Sequence, residues 1–176
     1  MVGLDRDKVV LFPYDEKWKE EYKKEKEILD SLLKGIEYRI EHVGSTSIEG
    51  LSAKPVIDIA IGTNDIETVI KIGDILANNG YDTENSLDTK GEIFAGKGAR
   101  DSRTHYIHIQ KIGSTYWNNF IYFKKYLLEH PNLIKEYEAL KKKLASVYFD
   151  DRKKYTAAKN EFISDILRKA KEKYKY

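Results

Sequence analysis

The stretch that decides the fold is residues 42–61, His42-Val43-Gly44-Ser45-Thr46-Ser47-Ile48-Glu49-Gly50-Leu51-Ser52-Ala53-Lys54-Pro55-Val56-Ile57-Asp58-Ile59-Ala60-Ile61. Its first residues complete a strand predicted over 36–43. Gly44 follows, and a glycine lets the backbone turn tightly and lets a ligand approach closely. Residues 55–61 are rich in β-branched side chains and begin with a proline, which is typical of a strand. We therefore expect two strands joined by a glycine–serine turn.

The hydrophobic pattern on either side of this stretch predicts the remaining helices and strands. A helix is predicted over 15–34, with Asp15 at its start, and Asp65 is expected to cap a second helix. Further strands are predicted over 91–96 and 104–110. The expected buried face of the second helix consists of Ile66, Val69, Ile70, Gly73, Leu76 and Ala77.

The last third of the sequence changes to a helical period. Helices are predicted from near Tyr116, Pro131 and Asp151. The order of elements predicts an α/β (α+β) fold with a mixed sheet, helices on one face and a helical C-terminal part. We expect residues 1–176 to form one domain, in which 116–176 is an extension packed on the sheet core.

Composition narrows the classes of protein to which the chain can belong. It has 176 residues, 41% hydrophobic and 34% charged, which fits a globular protein. The absence of cysteine excludes disulfides, a thiolate nucleophile and zinc sites built with sulfur. No stretch is apolar enough to span a membrane, and the first residues do not resemble a signal peptide. We expect a soluble, cytoplasmic protein that does not bind membranes.

Charge is distributed unevenly along the chain. Residues 121–176 hold 15 Lys and Arg against 8 Asp and Glu, a net charge of +7, whereas the whole chain carries only +2. A basic helical part could face an anionic ligand, but on charge alone a solvated, lysine-rich helical surface is the favoured interpretation. The sequence has no arginine-rich tract and no RNA-binding aromatic motif, so a nucleic-acid partner is not expected.

The glycine–serine turn and the following strand together indicate a phosphate site. Gly44, Ser45, Thr46 and Ser47 could present backbone amides and hydroxyls to an anion, although such turns are also common without a ligand. Asp58 lies in the middle of an apolar strand, where a carboxylate is unfavourable unless it is exposed or paired. Phosphate on the turn and Mg²⁺ or Mn²⁺ on the carboxylate would form one site.

The sequence from His42 to Ile59 closely resembles the signature of the GrpB-like family, which belongs to the nucleotidyltransferase superfamily. The resemblance extends over nearly the whole chain. It includes Phe12-Pro13-Tyr14-Asp15 with Trp18, Arg103-Thr104-His105-Tyr106-Ile107-His108-Ile109, and Phe123, Tyr126-Leu127, Pro131, Tyr137, Lys141, Leu144-Ala145, Tyr155 and Lys159. It implies a nucleotidyltransferase-type fold and site, and related domains occur fused to dephospho-CoA kinases.

The sequence departs from the pattern of active nucleotidyltransferases at the metal site. These enzymes usually carry two acidic residues two positions apart on the strand, but Ala60 stands where the partner of Asp58 would be. The neighbouring strand, which normally supplies a third acid, carries His105 and His108 instead. One carboxylate alone should hold Mg²⁺ weakly.

The histidines allow two interpretations. If Ile107 and Ile109 face the core, His108 points the same way as Asp58. Asp58, His108 and His42 could then bind Zn²⁺, Mn²⁺ or Fe²⁺. Alternatively, the histidines form hydrogen bonds that stiffen the sheet, which we expect for His105.

Cationic side chains complete the set of expected site residues. Lys141 and Lys159 lie on apolar helix faces, from which a lysine either extends to water or reaches an anion. Lys54 and Arg103 flank the motif strands, and Glu92 could supply a missing carboxylate.

Three functions are consistent with these residues, and each needs a nucleotide or another phosphorylated small molecule as partner. The first is nucleotidyl or phosphoryl transfer at a degenerate metal site formed by Asp58 and His108. The second is a non-catalytic module that binds nucleotide or CoA-type phosphates. The third is a transition-metal phosphohydrolase that uses Asp58 with histidines.

Overall fold

The computed structural model describes residues 9–83, 87–88 and 91–176. Within these residues, five strands and two α-helices form the first part of the chain, and four further α-helices form the last part. Their bounds are α1 Lys17–Leu32, β1 Arg39–Val43, β2 Ile57–Thr63, α2 Ile66–Ala77, β3 Asp82–Thr83, β4 Ile93–Lys97, β5 His105–Lys111, α3 Thr115–Glu129, α4 Pro131–Val147, α5 Arg152–Ala158 and α6 Asn160–Tyr174. A short 3₁₀ turn at Ser45–Ser47 joins β1 to the segment before β2.

The strands form one mixed sheet in the order β1-β2-β5-β4-β3. β2 and β5 run parallel in the centre, and the other neighbouring strands pair antiparallel. Asp58 lies opposite Val43 of β1 and Tyr106 of β5, and His108 lies opposite Phe94 of β4. This register brings the polar residues of three neighbouring strands together. The sheet with its flanking helices confirms the expected fold class.

One face of the sheet packs against α1 and α2. The isoleucines of β2 and β5 are fully buried there. Asp65 caps α2 as expected, since its Oδ1 accepts a hydrogen bond of 2.7 Å from the amide of Thr68. The expected buried face of α2 was partly wrong, because Ile66 and Ile70 are exposed and Ile72 is buried. The stripe that contacts the sheet is rotated toward Val69, Ile72, Gly73 and Leu76.

The opposite face carries Asp58, His108 and their neighbours. The C-terminal part begins to pack on this second face, where Trp117 of α3 contacts Val43 and Ala60. Successive side chains of β2 and of β5 point to opposite faces of the sheet. Asp58, Ala60, Tyr106 and His108 therefore all project from this second face. α3 covers the Ala60 end of the face, and the region beside Asp58 remains available for a site.

The C-terminal helices pack around the segment that follows the glycine–serine turn. Ile48 and Leu51 are fully buried in a second core, together with Leu127, Tyr137 and Ile166. Two hydrogen bonds fix α4 to this segment, because Glu138 accepts from the backbone amide of Ser52 at 2.7 Å and from its hydroxyl at 2.5 Å. Packing and hydrogen bonds thus hold the basic helices next to β2.

The last predicted helix is divided into two. α5 ends at Ala158 and α6 begins at Asn160, with Lys159 at the junction. The apolar pattern continues across the junction, so it indicated only one helix. β3, two residues long, was not predicted, and β1 is shorter than the expected 36–43. In the part of the chain that the structure describes, no helix combines the length and apolar character needed to cross a membrane.

Candidate functional site

The glycine–serine turn is in direct contact with the carboxylate of Asp58. Gly44 has φ +68°, a backbone conformation that residues other than glycine rarely adopt. A Cβ atom added at Gly44 would lie 2.5 Å from Asp58 Oδ2. The turn can therefore approach the strand carboxylate only because residue 44 has no side chain.

The three hydroxyl residues of the turn have different surroundings. Ser45 and Thr46 line a cavity beside Asp58. Thr46 Oγ1 also lies 3.0 Å from His42 Nε2, and this contact is buried. Ser47 does not line the cavity, and its hydroxyl donates a 2.8 Å hydrogen bond to the carbonyl of Gly44. The hydroxyl of Ser47 therefore closes the turn, and a part for Ser47 in binding phosphate stays a prediction.

His108 lies between two carboxylates. Its Nε2 is 3.6 Å from Asp58 Oδ1, and its Nδ1 is 2.9 Å from Glu92 Oε1. Gln110 donates to the other oxygen of Glu92 at 2.5 Å, which orients the carboxylate. His108 and Asp58 thus point the same way, as their strand positions predicted. Glu92 contacts His108, and His108 in turn lies next to Asp58.

The surroundings of His108 favour its protonated form. Burial opposes the charge, but the nearby carboxylate of Asp58 and the hydrogen bond to Glu92 outweigh it and raise the pKa of His108 to about 9. The rings of Phe94 and Phe120 lie 5.6 and 4.6 Å from the imidazole ring, measured between centroids. Around neutral pH the site therefore contains an imidazolium beside the strand carboxylate.

Beside Asp58 lies a cavity of about 210 Å³ with a basic lining. The sheet, the turn and the loop before β5 form one side, and α4, α5 and the α5–α6 junction form the other. The structure brings together Lys54, Arg103, Lys141 and Lys159, four cations expected from the sequence. The complete lining is Ser45, Thr46, Ala53, Lys54, Val56, Asp58, Arg100, Asp101, Arg103, Tyr106, Lys141, Arg152, Tyr155 and Lys159.

Burial and mutual repulsion destabilise the charges of the three lysines. The pKa of Lys54 and that of Lys159 fall to about 8, and that of Lys141 to about 7, with burial as the largest cause in each case. Nearby cations lower these values further, and Asp58 acts in the opposite direction on all three. Such an arrangement costs folding free energy unless an anion neutralises it.

The three lysines differ in their partners. Lys141 is only 2% exposed, and its ammonium group donates a hydrogen bond to the carbonyl of Ser52. Lys159 lies over the ring of Tyr155, with 4.4 Å between Nζ and the centroid. Within residues 9–83, 87–88 and 91–176, neither Lys54 nor Lys159 forms a hydrogen bond or ion pair through Nζ. Their charges are therefore available to a ligand.

Arg103 and Arg152 form the outer wall of the cavity. Arg103 is held in place by Asp82 and by a 2.6 Å hydrogen bond to the carbonyl of Gly98. It lies against β4 at Gly96, where a Cβ atom would be 2.8 Å from its Nε. Arg152 donates to the hydroxyl of Tyr106 at 3.1 Å. Arg152 is not among the residues expected from the sequence, where only the positive charge of residues 121–176 pointed to it.

The expected metal set of Asp58, His108 and His42 is not assembled. His42 is buried, stacks on Tyr22 at 4.8 Å and faces Thr46, and burial lowers its pKa to about 4. Across the described ranges, no group of three or more His, Asp or Glu side chains is arranged to hold a metal ion. His105 is buried and contacts Thr104 through Nδ1 at 2.9 Å, which fits the structural role expected for it.

A pair of metal ions, as the nucleotidyltransferase resemblance implies, does not fit the described residues. Ala60 is fully buried against Val43 and Trp117, so the second strand position offers neither a carboxylate nor space for one. The three lysines near Asp58 would also repel a divalent cation at that carboxylate. The donor set suits an anion better than a pair of Mg²⁺ ions.

Comparison with known proteins gives a consistent result over the length of the chain. The family model described as GrpB protein matches residues 8–169. The chain is 35% identical to the glutamate-rich protein GrpB of Alkalihalophilus pseudofirmus, covering 95% of this chain and 98% of that protein. It is 36% identical to the UPF0157 protein YqkA of Bacillus subtilis over 93% of this chain, which spans only 48% of YqkA.

A solved structure agrees with the sequence relatives. The crystal structure of the conserved protein GrpB from Enterococcus faecalis superposes with a TM-score of 0.84 at 32% identity, covering 95% of this chain and all of that one. Sequence and structure thus give the same result, and the chain belongs to the GrpB family.

Proposed function

We propose that this protein binds a phosphate-bearing small molecule, such as a nucleotide or a CoA-type compound, in the cavity beside Asp58. The observation that carries the proposal is the convergence of Lys54, Lys141 and Lys159 on one cavity. Each lysine is desolvated, each is repelled by neighbouring cations, and Asp58 alone does not balance them. A phosphate would supply the missing negative charge.

The turn contributes to the same binding mode. Ser45 lines the cavity with its side chain, and the contact between Gly44 and Asp58 fixes the turn relative to the lysines. A ligand phosphate would lie between Ser45 on one side and Lys54 and Lys159 on the other. Lys141 would act from the cavity floor, where its position is already fixed by Ser52.

A thermal-shift titration with inorganic tripolyphosphate tests the binding proposal, because a ligand that binds the native state raises the melting temperature. Wild type should be stabilised, and Lys159→Met should lose most of that response. Lys135→Met, at an exposed position on α4, provides the matched loss of one positive charge outside the cavity. Equal loss of response in both variants would show that binding depends only on overall charge.

Group transfer on the bound ligand is the second part of the proposal, and the position of Asp58 favours it. Asp58 borders the cavity, its carboxylate is 29% exposed, and His108 orients it. It could accept the proton of an acceptor hydroxyl as that oxygen attacks phosphorus, while the bond from phosphorus to the leaving phosphate oxygen breaks. The lysines would stabilise the charge that develops on the leaving phosphate.

Asp58→Asn separates binding from transfer. It removes a negative charge next to the ligand phosphates, so tripolyphosphate affinity should rise several-fold. Nucleotidyl or phosphoryl transfer, assayed with nucleoside triphosphates and a panel of hydroxyl acceptors, should fall by at least about 100-fold. If transfer is undetectable in wild type while binding is intact, the protein is a non-catalytic phosphate-binding module.

The role of Mg²⁺ or Mn²⁺ remains part of the proposal. Such an ion would have to arrive with the ligand phosphates, since the described side chains do not form a metal set of their own. The third function, a transition-metal phosphohydrolase, has less support because His42 faces Thr46 and not Asp58. Parallel assays with EDTA, Mg²⁺ and Mn²⁺ distinguish these possibilities.

A further inference from the structure

A second, larger compartment adjoins the basic cavity. Its lining is also basic, with Arg100, Arg103, Arg152 and Lys153, and it adds the rings of Phe94 and His108. It encloses about 880 Å³ between the sheet face and α5. Arg103, Tyr106 and Arg152 line both compartments and therefore mark their boundary. A molecule bound at the lysines can extend past this boundary without crossing the sheet.

Aromatic rings form the sheet side of the outer compartment. Phe94 and Tyr106 lie side by side, with 5.2 Å between ring centroids, and both are only partly buried. They project from the same face as His108 because Phe94 and His108 are paired across β4 and β5. The planes of Phe94 and Tyr106 are tilted by 49°, and the guanidinium of Arg152 lies 5.9 Å from the centre of the Tyr106 ring. The partly exposed ring of Phe94 therefore offers the surface on which a flat ring can stack.

The helical side of the outer compartment is lined by Arg152, Lys153, Thr156, Ala157 and Asn160. Ala157 contributes only a methyl group to this wall, and Asn160 can both donate and accept hydrogen bonds. Such groups suit the edge of a heteroaromatic ring better than an extended aliphatic chain. The volume is within the usual range for small-molecule sites.

We infer that the outer compartment binds the planar, heteroaromatic part of the ligand whose phosphate lies in the basic cavity. The inference rests on the proposed function, since it needs a phosphate at Lys54 and Lys159 to fix the ligand's orientation. The ligand class is then a phosphate ester of a ring compound, with the phosphate directed toward Asp58 and the ring between Phe94 and Ala157.

The test compares three kinds of phosphate ligand, one without a ring, one with a sugar alone and one with a sugar and a heteroaromatic base. Calorimetry measures the affinity of tripolyphosphate, of ribose 5-phosphate and of the adenosine, guanosine, cytidine and uridine 5′-monophosphates. We expect at least one nucleoside monophosphate to bind about tenfold more tightly than ribose 5-phosphate. Equal affinities for ribose 5-phosphate and all four nucleotides would overturn the inference.

A blocking variant locates the effect. Ala157→Trp should fill the outer compartment and remove the tenfold advantage of the nucleotide, while tripolyphosphate affinity stays within twofold of wild type. Ala157 is exposed, so the substitution does not disturb the core. Ser164→Trp, at an exposed position on α6 outside both compartments, is the control and should retain the advantage.

The outcomes separate this inference from the proposed function. If tripolyphosphate binds and Ala157→Trp leaves the nucleotide advantage intact, the ring site is wrong and the phosphate site stands. If tripolyphosphate does not bind wild type, the proposed function fails first and the ring site fails with it. Phe94→Ala provides a second variant, whose expected effect is the same loss of the nucleotide advantage.

Discussion

At the residue scale, Gly44 is constrained both by its positive φ and by its contact with Asp58. A matched substitution at a second glycine separates the two effects. Gly44→Ala places a side chain at φ +68° and brings Cβ within 2.5 Å of Asp58 Oδ2. Gly50→Ala is the matched control, because Gly50 has φ +82° and nothing within 4 Å of an added Cβ. Chemical denaturation should show a loss of about 1 kcal/mol for Gly50→Ala and clearly more for Gly44→Ala. Equal losses would mean that the turn and Asp58 are not in contact.

His42 predicts a specific acid sensitivity. Its pKa is about 4 in the folded state, where burial is the main cause, against an ordinary value of 6.5. The unfolded chain therefore takes up this proton first as pH falls, and stability is lost from about pH 6.5 down to about pH 4. The loss attributable to His42 is about 3 kcal/mol. His42→Asn should make the unfolding free energy less dependent on pH across this window, and an unchanged dependence would contradict the assignment.

At the element scale, the junction of α5 and α6 holds the charge of Lys159 in a partly buried position, which costs folding free energy. The pKa of Lys159 is about 8 in the folded protein and 10.5 in its ordinary state, mainly because of burial. Below about pH 8 the folded state therefore carries the full cost of this charge, and the cost disappears as pH rises toward 10.5. Lys159→Met should be more stable than ligand-free wild type at pH 7, by roughly 1–3 kcal/mol.

Urea unfolding at pH 7 and pH 10 checks this prediction. The difference between Lys159→Met and wild type should narrow at the higher pH, whereas Lys135→Met should differ from wild type by a similar amount at both. Ligand affinity should have the opposite dependence, because deprotonation of the lysines above about pH 8 removes the charge that binds phosphate. A variant that is less stable than wild type at pH 7 would show that Lys159 has a structural role.

The elements show which parts of the molecule the sequence could predict. Periodicity identified β2, β5 and α2, because each directs a row of apolar side chains into the core. The proximity of Asp58 and His108 could also be expected, since both side chains point away from the face that the isoleucines of β2 and β5 bury in the core. Glu92 was expected only as a substitute carboxylate. Its pairing with His108 depends on the register of β4 against β5, which the sequence alone does not determine.

The sequence did not predict several features that depend on packing between distant elements or on local geometry. The division between α5 and α6 at Lys159 interrupts no apolar pattern, so it left no signal. Arg152 had the appearance of an ordinary surface residue, yet it reaches Tyr106, which is 46 positions away along the chain. The role of Ser47 in closing its own turn also depends on local geometry that its residue type does not determine.

At the scale of the whole molecule, both parts of the chain contribute charge to one cavity. Lys54 and Arg103 come from the sheet part, and Lys141, Arg152 and Lys159 come from the C-terminal helices. The basic C-terminal helices face a sheet whose site contains Asp58, and the two parts meet at the cavity. A ligand bound there contacts both parts, so it should stabilise the protein as one cooperative unit. Because the interaction is electrostatic and partly buried, affinity for tripolyphosphate should fall as salt increases, but less steeply than for an exposed cluster of lysines.

The central claim is that protein cations, and not a pair of metal ions, hold the phosphate of the ligand. Calorimetric titration of tripolyphosphate in the presence of EDTA tests it most directly, with wild type compared to a Lys54→Met, Lys159→Met double variant. We predict binding by wild type without metal and a loss of at least about 100-fold in the double variant. Binding that requires added Mg²⁺ or Mn²⁺, or an unchanged affinity in the double variant, would contradict the claim.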